Sequence, residues 1–177
     1  MSKLLNGKVA IVTGGAKGLG YGISRALASE GASVLISGRD GAAAETVAAE
    51  IERDFGSKAI GIAGDMGVKE DVLAMVQRAV DSFGGLDILV NNASLLSAGV
   101  LLEDKTDEML RRTLEIGVWG NWWAMQAAFP PSSRRTRRFP ARAFIFHPIT
   151  GEPVNDKRRK RSSSMSLSAT SRAVGMT

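Results

Sequence analysis

Apolar positions along the first 130 residues follow two alternating rhythms. Short β-branched runs give way to longer stretches in which apolar residues return every three or four positions. Lys8–Val12 (KVAIV) reads as a buried strand. A glycine-rich turn from Thr13 to Gly20 follows. Ile23, Ala26, Leu27 and Ala28 then mark a helix that runs to Glu30 and is closed by Gly31. Ser33–Ser37 predicts a second strand. Ala42–Phe55 predicts a helix, with Val47 and Ile51 four apart and Gly56 at its end. Lys58–Ala63 is a weaker third strand, and Lys69–Phe83 a helix with Val72, Val76, Ala79, Val80 and Phe83 on one face. Leu86–Asn91 predicts a fourth strand. Thr106–Phe129 predicts one long helical stretch, capped by Thr106 or Asp107 and ended by Pro130. Alternation of this kind, with strands apolar on both faces, argues a parallel sheet covered on both sides. Right-handed crossovers then give a doubly wound α/β fold.

Composition adds a boundary to this picture. With 177 residues and 18.7 kDa the chain has room for one domain with a sizeable core. Hydrophobic residues at 44% and charged residues at 23% are ordinary for a soluble protein. No apolar run reaches the length of a membrane span, and MSKLLNGKVA has no signal-peptide core, so a cytoplasmic protein is expected. The absence of Cys excludes disulfides, thiolate metal sites and Cys nucleophiles, and the single His147 excludes a multi-His cluster. The net charge of +5 hides an asymmetry. Residues 1–130 hold 12 Lys/Arg against 16 Asp/Glu, a net of −4, whereas residues 131–177 hold 11 against 2, a net of +9. All five prolines lie at or after Pro130. Two segments are therefore expected: a domain over 1–130, and a basic, Arg/Ser/Pro-rich continuation over 131–177 that is partly disordered.

The turn Thr13-Gly14-Gly15-Ala16-Lys17-Gly18-Leu19-Gly20 lies directly after the first strand and opens the first helix. Glycines there let the chain turn tightly and let backbone approach an anion. The helix N-terminus adds unpaired N–H groups and the positive end of a dipole. A glycine pattern alone is weak; between strand one and helix one it is much stronger.

These residues carry a family resemblance. Thr13-Gly14-x-x-x-Gly18-x-Gly20 resembles the cofactor fingerprint of the short-chain dehydrogenase/reductase family. Asp65 follows strand three, where that family has an adenine-contacting Asp. Asn91-Asn92-Ala93-Ser94 resembles the family's Asn-Asn-Ala-Gly after strand four, with Ser94 in place of the Gly. The likeness is continuous from about Gly7 to Pro130. It implies a Rossmann-type sheet that binds NAD(H) or NADP(H) at the carboxyl ends of its strands. The cofactor-binding residues it implies are Gly14, Lys17, Gly18, Leu19, Gly20, Arg39, Asp65, Met66, Asn91 and Ala93. Cofactor choice follows from charge at the end of strand two, Ser37-Gly38-Arg39-Asp40. Gly38 stands where an acid would hydrogen-bond the NAD ribose. Arg39 beside it suits a 2′-phosphate, with Lys17 as a second candidate, so NADP is preferred over NAD. Asp40 keeps NAD open if the register is displaced by two.

The resemblance further implies an oxidoreductase acting on a small alcohol or carbonyl substrate, with a Tyr acid, a Lys four residues later, a Ser and an Asn. None of the four is in place. The only Tyr, Tyr21, sits behind the phosphate turn and reads as a helix-surface residue. Gly117 stands for the Asn in Leu114-Glu115-Ile116-Gly117-Val118. His147-Pro148 stands for the Ser pair after the candidate fifth strand, Ala143–Phe146. Leu167 and Ser171 stand for the Tyr and the Lys. No catalytic residue is assigned, and a catalytically impaired chain is expected, truncated relative to the family's full sheet and substrate pocket. His147 has a suitable pKa range for acid–base work but reads as a loop residue.

Two readings of residues 131–177 stay open. Family-like islands (ITGEPVND and AVGMT) inside a basic background suggest a coding frame that shifts near Pro131 and partly recovers. The alternative is a genuine basic arm on a non-catalytic dinucleotide-binding or interaction domain, in which Lys157-Arg158-Arg159-Lys160-Arg161 would attract phosphates. No aromatics interleave with that run, so a nucleic-acid role rests on charge alone. No membrane partner is expected. Homo-oligomerisation and aggregation both stay open, because the apolar fourth strand and the cluster Trp119, Trp122 and Trp123 ask for cover.

Overall fold

The computed structural model describes residues 3–95, 100–129 and 142–144. Five strands form one sheet in the order β3-β2-β1-β4-β5. They are β1 (Val9–Thr13), β2 (Ser33–Gly38), β3 (Ala59–Ala63), β4 (Ile88–Val90) and β5 (Arg142–Phe144). Every pairing is parallel, with Val9 opposite Ser33, Val34 opposite Ala59, Ala10 opposite Ile88, and Ile88 opposite Arg142. The connecting helices are α1 (Gly18–Ser29), α2 (Gly41–Phe55) and α3 (Lys69–Phe83). After β4 come a short 3₁₀ turn (Leu102–Asp104), α4 (Asp107–Leu114), a π-helical turn (Glu115–Gly120) and α5 (Asn121–Ala128). This is the doubly wound α/β arrangement that the alternation predicts.

The period-two geometry of a strand sorts the core into two halves. Val9 and Ile11 of β1 face α3 and α5, where Val72, Met75, Val76, Ala79, Ala124 and Ala128 are buried with them. Ala10 and Val12 face the other way, onto Ala28 of α1 and Ala44, Val47, Ala48 and Ile51 of α2. Small side chains on α1 and α2 let both helices lie close to the strands, which is why their stripes read as alanine-rich.

Several element borders move by a residue or two, as at β1, which spans Val9–Thr13 rather than Lys8–Val12, and two differences have a visible cause or consequence. The fourth strand spans only Ile88–Val90, shorter than Leu86–Asn91. Asp87 is diverted: its side chain accepts from Val9 N–H at 3.0 Å and from Lys8 Nζ at 3.0 Å, and its own N–H donates to Val9 O. The stretch expected as one helix over Thr106–Phe129 is divided by the π-turn at Glu115–Gly120. Thr106, rather than Asp107, caps α4, with its hydroxyl oxygen accepting from Met109 N–H at 3.3 Å. β5 overlaps the expected strand Ala143–Phe146 and closes the second side of β4.

Candidate functional site

β1 leads to strands on both of its sides: the chain runs through β2 and β3 on one flank and reaches β4 on the other. A crevice opens where the winding reverses, beyond the carboxyl ends of the strands. It is a cleft of about 590 Å³. One wall is the turn after β1, with Gly14, Ala16, Lys17, Leu19 and Gly20. The end of β2 adds Ser37, Gly38, Arg39 and Asp40, and the loop after β3 adds Gly64, Asp65 and Met66. Asn92, Ala93, Ser94 and Leu95 after β4, with Ile116 from the π-turn, complete it.

The glycine turn is held by buried hydroxyls and amides. Ser24 of α1 places its hydroxyl 2.9 Å from Gly20 O and 3.2 Å from Gly15 O. Thr13, fully buried, donates to Val90 O at 3.3 Å, and its oxygen accepts the N–H groups of Asn92 and Ala93, each at 3.0 Å. Asn92 Nδ2 donates to Thr13 O at 2.9 Å and to Gly14 O at 3.2 Å. The two loops that face each other across the switch point are thereby fastened together. Gly20 makes the fastening possible, because a Cβ there would run into the Gly14 carbonyl. Gly18 has a different reason to be glycine: its φ is +54°, with open space where a side chain would go.

No side chain caps the N-terminus of α1, and its first turn carries no acid. Its N–H groups and positive dipole end face the cleft side of the turn, an arrangement suited to an anion. Two cations stand beside it. Lys17 reaches Asp40 Oδ2 at 3.4 Å, with both side chains largely in solvent. Arg39 is exposed on the cleft, in no ion pair with a described residue. Asp40 is occupied as the N-cap of α2, its Oδ1 accepting from Ala43 N–H at 3.0 Å. That bond, and then Lys17, hold its carboxyl below the ordinary carboxylate range.

Of the ten residues singled out in the sequence, Gly14, Lys17, Leu19, Gly20, Arg39, Asp65, Met66 and Ala93 line the cleft. Gly18 sits beside it in the turn. Asn91 is buried just beneath, and neither polar atom of its amide has a hydrogen-bond partner among the described residues. Asn92 does the bracing that sequence reasoning left unassigned, although the Asn91-Asn92 doublet signalled it. Ser94, at the position of the expected glycine, is exposed on the cleft wall. Tyr21 is partly buried, donating to Glu50 Oε2 at 3.0 Å, and serves helix packing. Gly117 is exposed in the π-turn with open space around it, so the sequence rather than crowding withholds a side chain. His147, Pro148, Leu167, Ser171 and the basic run 157–161 lie outside the described residues. Among the described residues no His/Cys/Asp/Glu group is arranged to hold a metal.

A parallel, doubly wound sheet with an uncapped helix start at its switch point defines a nucleotide-binding class of α/β protein. Comparison makes this specific: residues 8–137 match the short chain dehydrogenase family model, and the chain belongs to that oxidoreductase family. It is 39% identical over 128 residues to an uncharacterized oxidoreductase of Methylorubrum extorquens, covering 72% of this chain and 51% of that one. A 12alpha-hydroxysteroid dehydrogenase of Clostridium sp. is 33% identical over 133 residues, with the same coverage of 72% and 51%. The fold superposes with a TM-score of 0.66 on the crystal structure of a short chain dehydrogenase from Burkholderia cenocepacia in complex with NADP. That pair is 43% identical, over 70% of this chain and 50% of the other. The chain thus spans about half the length of the relatives it matches.

Proposed function

We propose that the cleft holds NADP(H) in preference to NAD(H), within an oxidoreductase lineage directed at small alcohols or carbonyls, and that hydride transfer by this chain is impaired. The observation that carries the reading is the uncapped start of α1 facing the same cleft as Lys17 and Arg39. The turn Gly14–Gly20, with Gly18 and Leu19, would take the pyrophosphate on its backbone N–H groups. Arg39 and Lys17 would take the 2′-phosphate. Asp65 and Met66 would meet the adenine, and Ala93, above buried Asn91, would border the nicotinamide side. Bound NADP(H) supplies the hydride donor or acceptor. Asp40 argues against NAD, since its carboxylate is already shared between the α2 cap and Lys17.

The impairment reading rests on residue identity. A developing alkoxide needs a positioned acid, and Tyr21, the one tyrosine, is bound to Glu50 at the back of α1. Loss of one positioned acid–base group costs roughly 10²–10⁴ in rate, and such groups act as a unit. The same vacancy supports the second reading, a dinucleotide-binding domain without catalysis. No helix among the described residues is long and apolar enough to cross a membrane. A cytoplasmic setting and a domain boundary near Pro130 belong to this proposal.

The test is a fluorescence titration of the full chain with NADPH and NADH. NADPH should bind at least about tenfold more tightly, the scale of one charge-assisted phosphate contact. Arg39→Asp should reverse the order. An equal response of both cofactors would remove Arg39 from the phosphate site. Purified protein should oxidise NADPH weakly or not at all with any ketone offered; robust turnover would overturn the impairment reading and return attention to His147.

A further inference from the structure

We infer that Arg112 of α4 is a positioning residue for purine recognition: it fixes the Asp65 carboxylate at the cleft wall so that the site favours a base bearing an amino group over one bearing a keto group. This rests on reading the cleft as a dinucleotide site.

Asp65 lines the cleft, whereas Arg112 is not among the residues that line it. Arg112 therefore acts on a ligand through another side chain. Its Nη2 donates to Asp65 Oδ2, and its Nη1 donates to Glu115 Oε2 at 3.1 Å. The two nitrogens of one rigid fork thus hold acids from two different elements. The bond to Glu115 is the leading reason that the guanidinium is held above its ordinary pKa. Asp65 Oδ1 accepts from Gly67 N–H at 2.8 Å, and the Asp65 N–H donates to Asp71 Oδ2 at 2.9 Å.

The same helical segment lies close against the rest of the loop. Gly67 lies so close to the guanidinium that a Cβ would collide with Nη1. Gly120, at the end of the π-turn, lies against the Met66 carbonyl with no room for a Cβ. Three consecutive loop residues, Asp65, Met66 and Gly67, thus lie against the segment from α4 to the π-turn, and Asp65 is bonded to it; Asp65 and Met66 form part of the cleft wall.

Protein donors occupy one acceptor site on each Asp65 oxygen. A carboxylate offers about four in all, so acceptor capacity remains. A fixed carboxylate accepts from an amino group and repels a keto oxygen. One that swings free satisfies itself with water and discriminates little.

The experiment compares NADPH with its hypoxanthine analogue, which carries oxygen in place of the adenine amino group, by titration of the full chain. Wild type should prefer NADPH by roughly tenfold, the scale of a hydrogen bond to a charged acceptor. In Arg112→Gln the preference should fall below about threefold, mainly through weaker NADPH binding. Both ligands are measured on the same preparation, so the folded fraction cancels in the ratio. Arg112→Lys should recover part of the preference. Adding Asp65→Asn to Arg112→Gln should change the ratio little further. A preference unchanged in Arg112→Gln, or equal weakening of both ligands, overturns the inference. So does failure of both Arg112 variants to fold, which would make the residue a folding element. A wild type that binds NADPH with no base preference overturns this inference alone, and one that binds neither ligand overturns the cofactor reading as well.

Discussion

At the scale of single residues, the cleft depends on a few side chains that fasten strand ends rather than on those a ligand would touch. Asn92 bonds to two carbonyls of the glycine turn, and Thr13 completes the brace. Asn92→Ala leaves both carbonyls without that donor in a partly buried place, and should lower stability by about 1–3 kcal/mol in denaturant titration. Gly20→Ala forces a methyl onto the Gly14 carbonyl and should cost a similar ~1–3 kcal/mol through overpacking. A Gly20→Ala protein as stable as wild type would mean that the turn relaxes away from Asn92. Gly18→Val places a β-branched residue at φ +54° and fills open space beside the uncapped helix start. Dinucleotide binding should be lost in Gly18→Val; retained affinity would show that the ligand's phosphates lie elsewhere.

At the scale of elements, α1 and α2 are clamped by charge. Arg25 donates to Asp54 at 2.8 Å and lies over the rings of Phe55 and Tyr21, with centroids 4.9 and 5.5 Å away. The Asp54 carboxyl is held below its ordinary value of 3.8, chiefly by Arg25 and then by Arg53. A carboxyl depressed in the folded state stabilises it above the unfolded pKa, and that contribution is lost as pH falls through the folded pKa. The melting temperature should therefore fall as pH drops below about 4, and Asp54→Asn should flatten part of that slope. An unchanged slope would remove the clamp as a source of acid sensitivity. Most borders of these elements were legible, because apolar spacing and terminal glycines are local signals; α3 starts at Lys69 and ends at Phe83 as its stripe predicts. The π-turn was not. Gly120 at its end lies against the Met66 carbonyl, a contact between residues distant in sequence that local patterning does not reveal. Arg112 was illegible for the same reason, since nothing in its sequence neighbours reveals its partner Asp65, 47 residues earlier. The site was legible as glycines and charges and illegible as a brace: Asn91 was named, while Asn92 does the fastening.

At the scale of the whole molecule, the described surface around α4 and α5 carries a run of exposed large apolar side chains. Leu110, Leu114, Val118, Trp119 and Trp122 are each at least 45% exposed, and Phe129 at the end of α5 is 57% exposed. Trp123, by contrast, packs against the core under α3, so the three tryptophans divide between core and surface. The open aromatic and aliphatic side chains share one helical stretch, α4 through α5. Water in contact with such a stretch favours any arrangement that removes it, at roughly 25 cal/mol per Å² of apolar area covered. The sheet adds a second incentive. β5, with only three residues, is the last strand beyond β4 among the described residues, so its outer backbone groups form an edge that another chain can pair with. The protein should therefore associate as its concentration rises. Light scattering should show a growing apparent mass, and a dye that brightens on apolar surface should report binding that falls as assembly proceeds. Trp119→Lys with Trp122→Lys should shift association to higher concentration while leaving the NADPH titration intact, because neither residue lines the cleft. A monodisperse monomer with a sharp unfolding transition and no dye binding would contradict this, and would mean that the rest of the chain covers the α4–α5 face in solution.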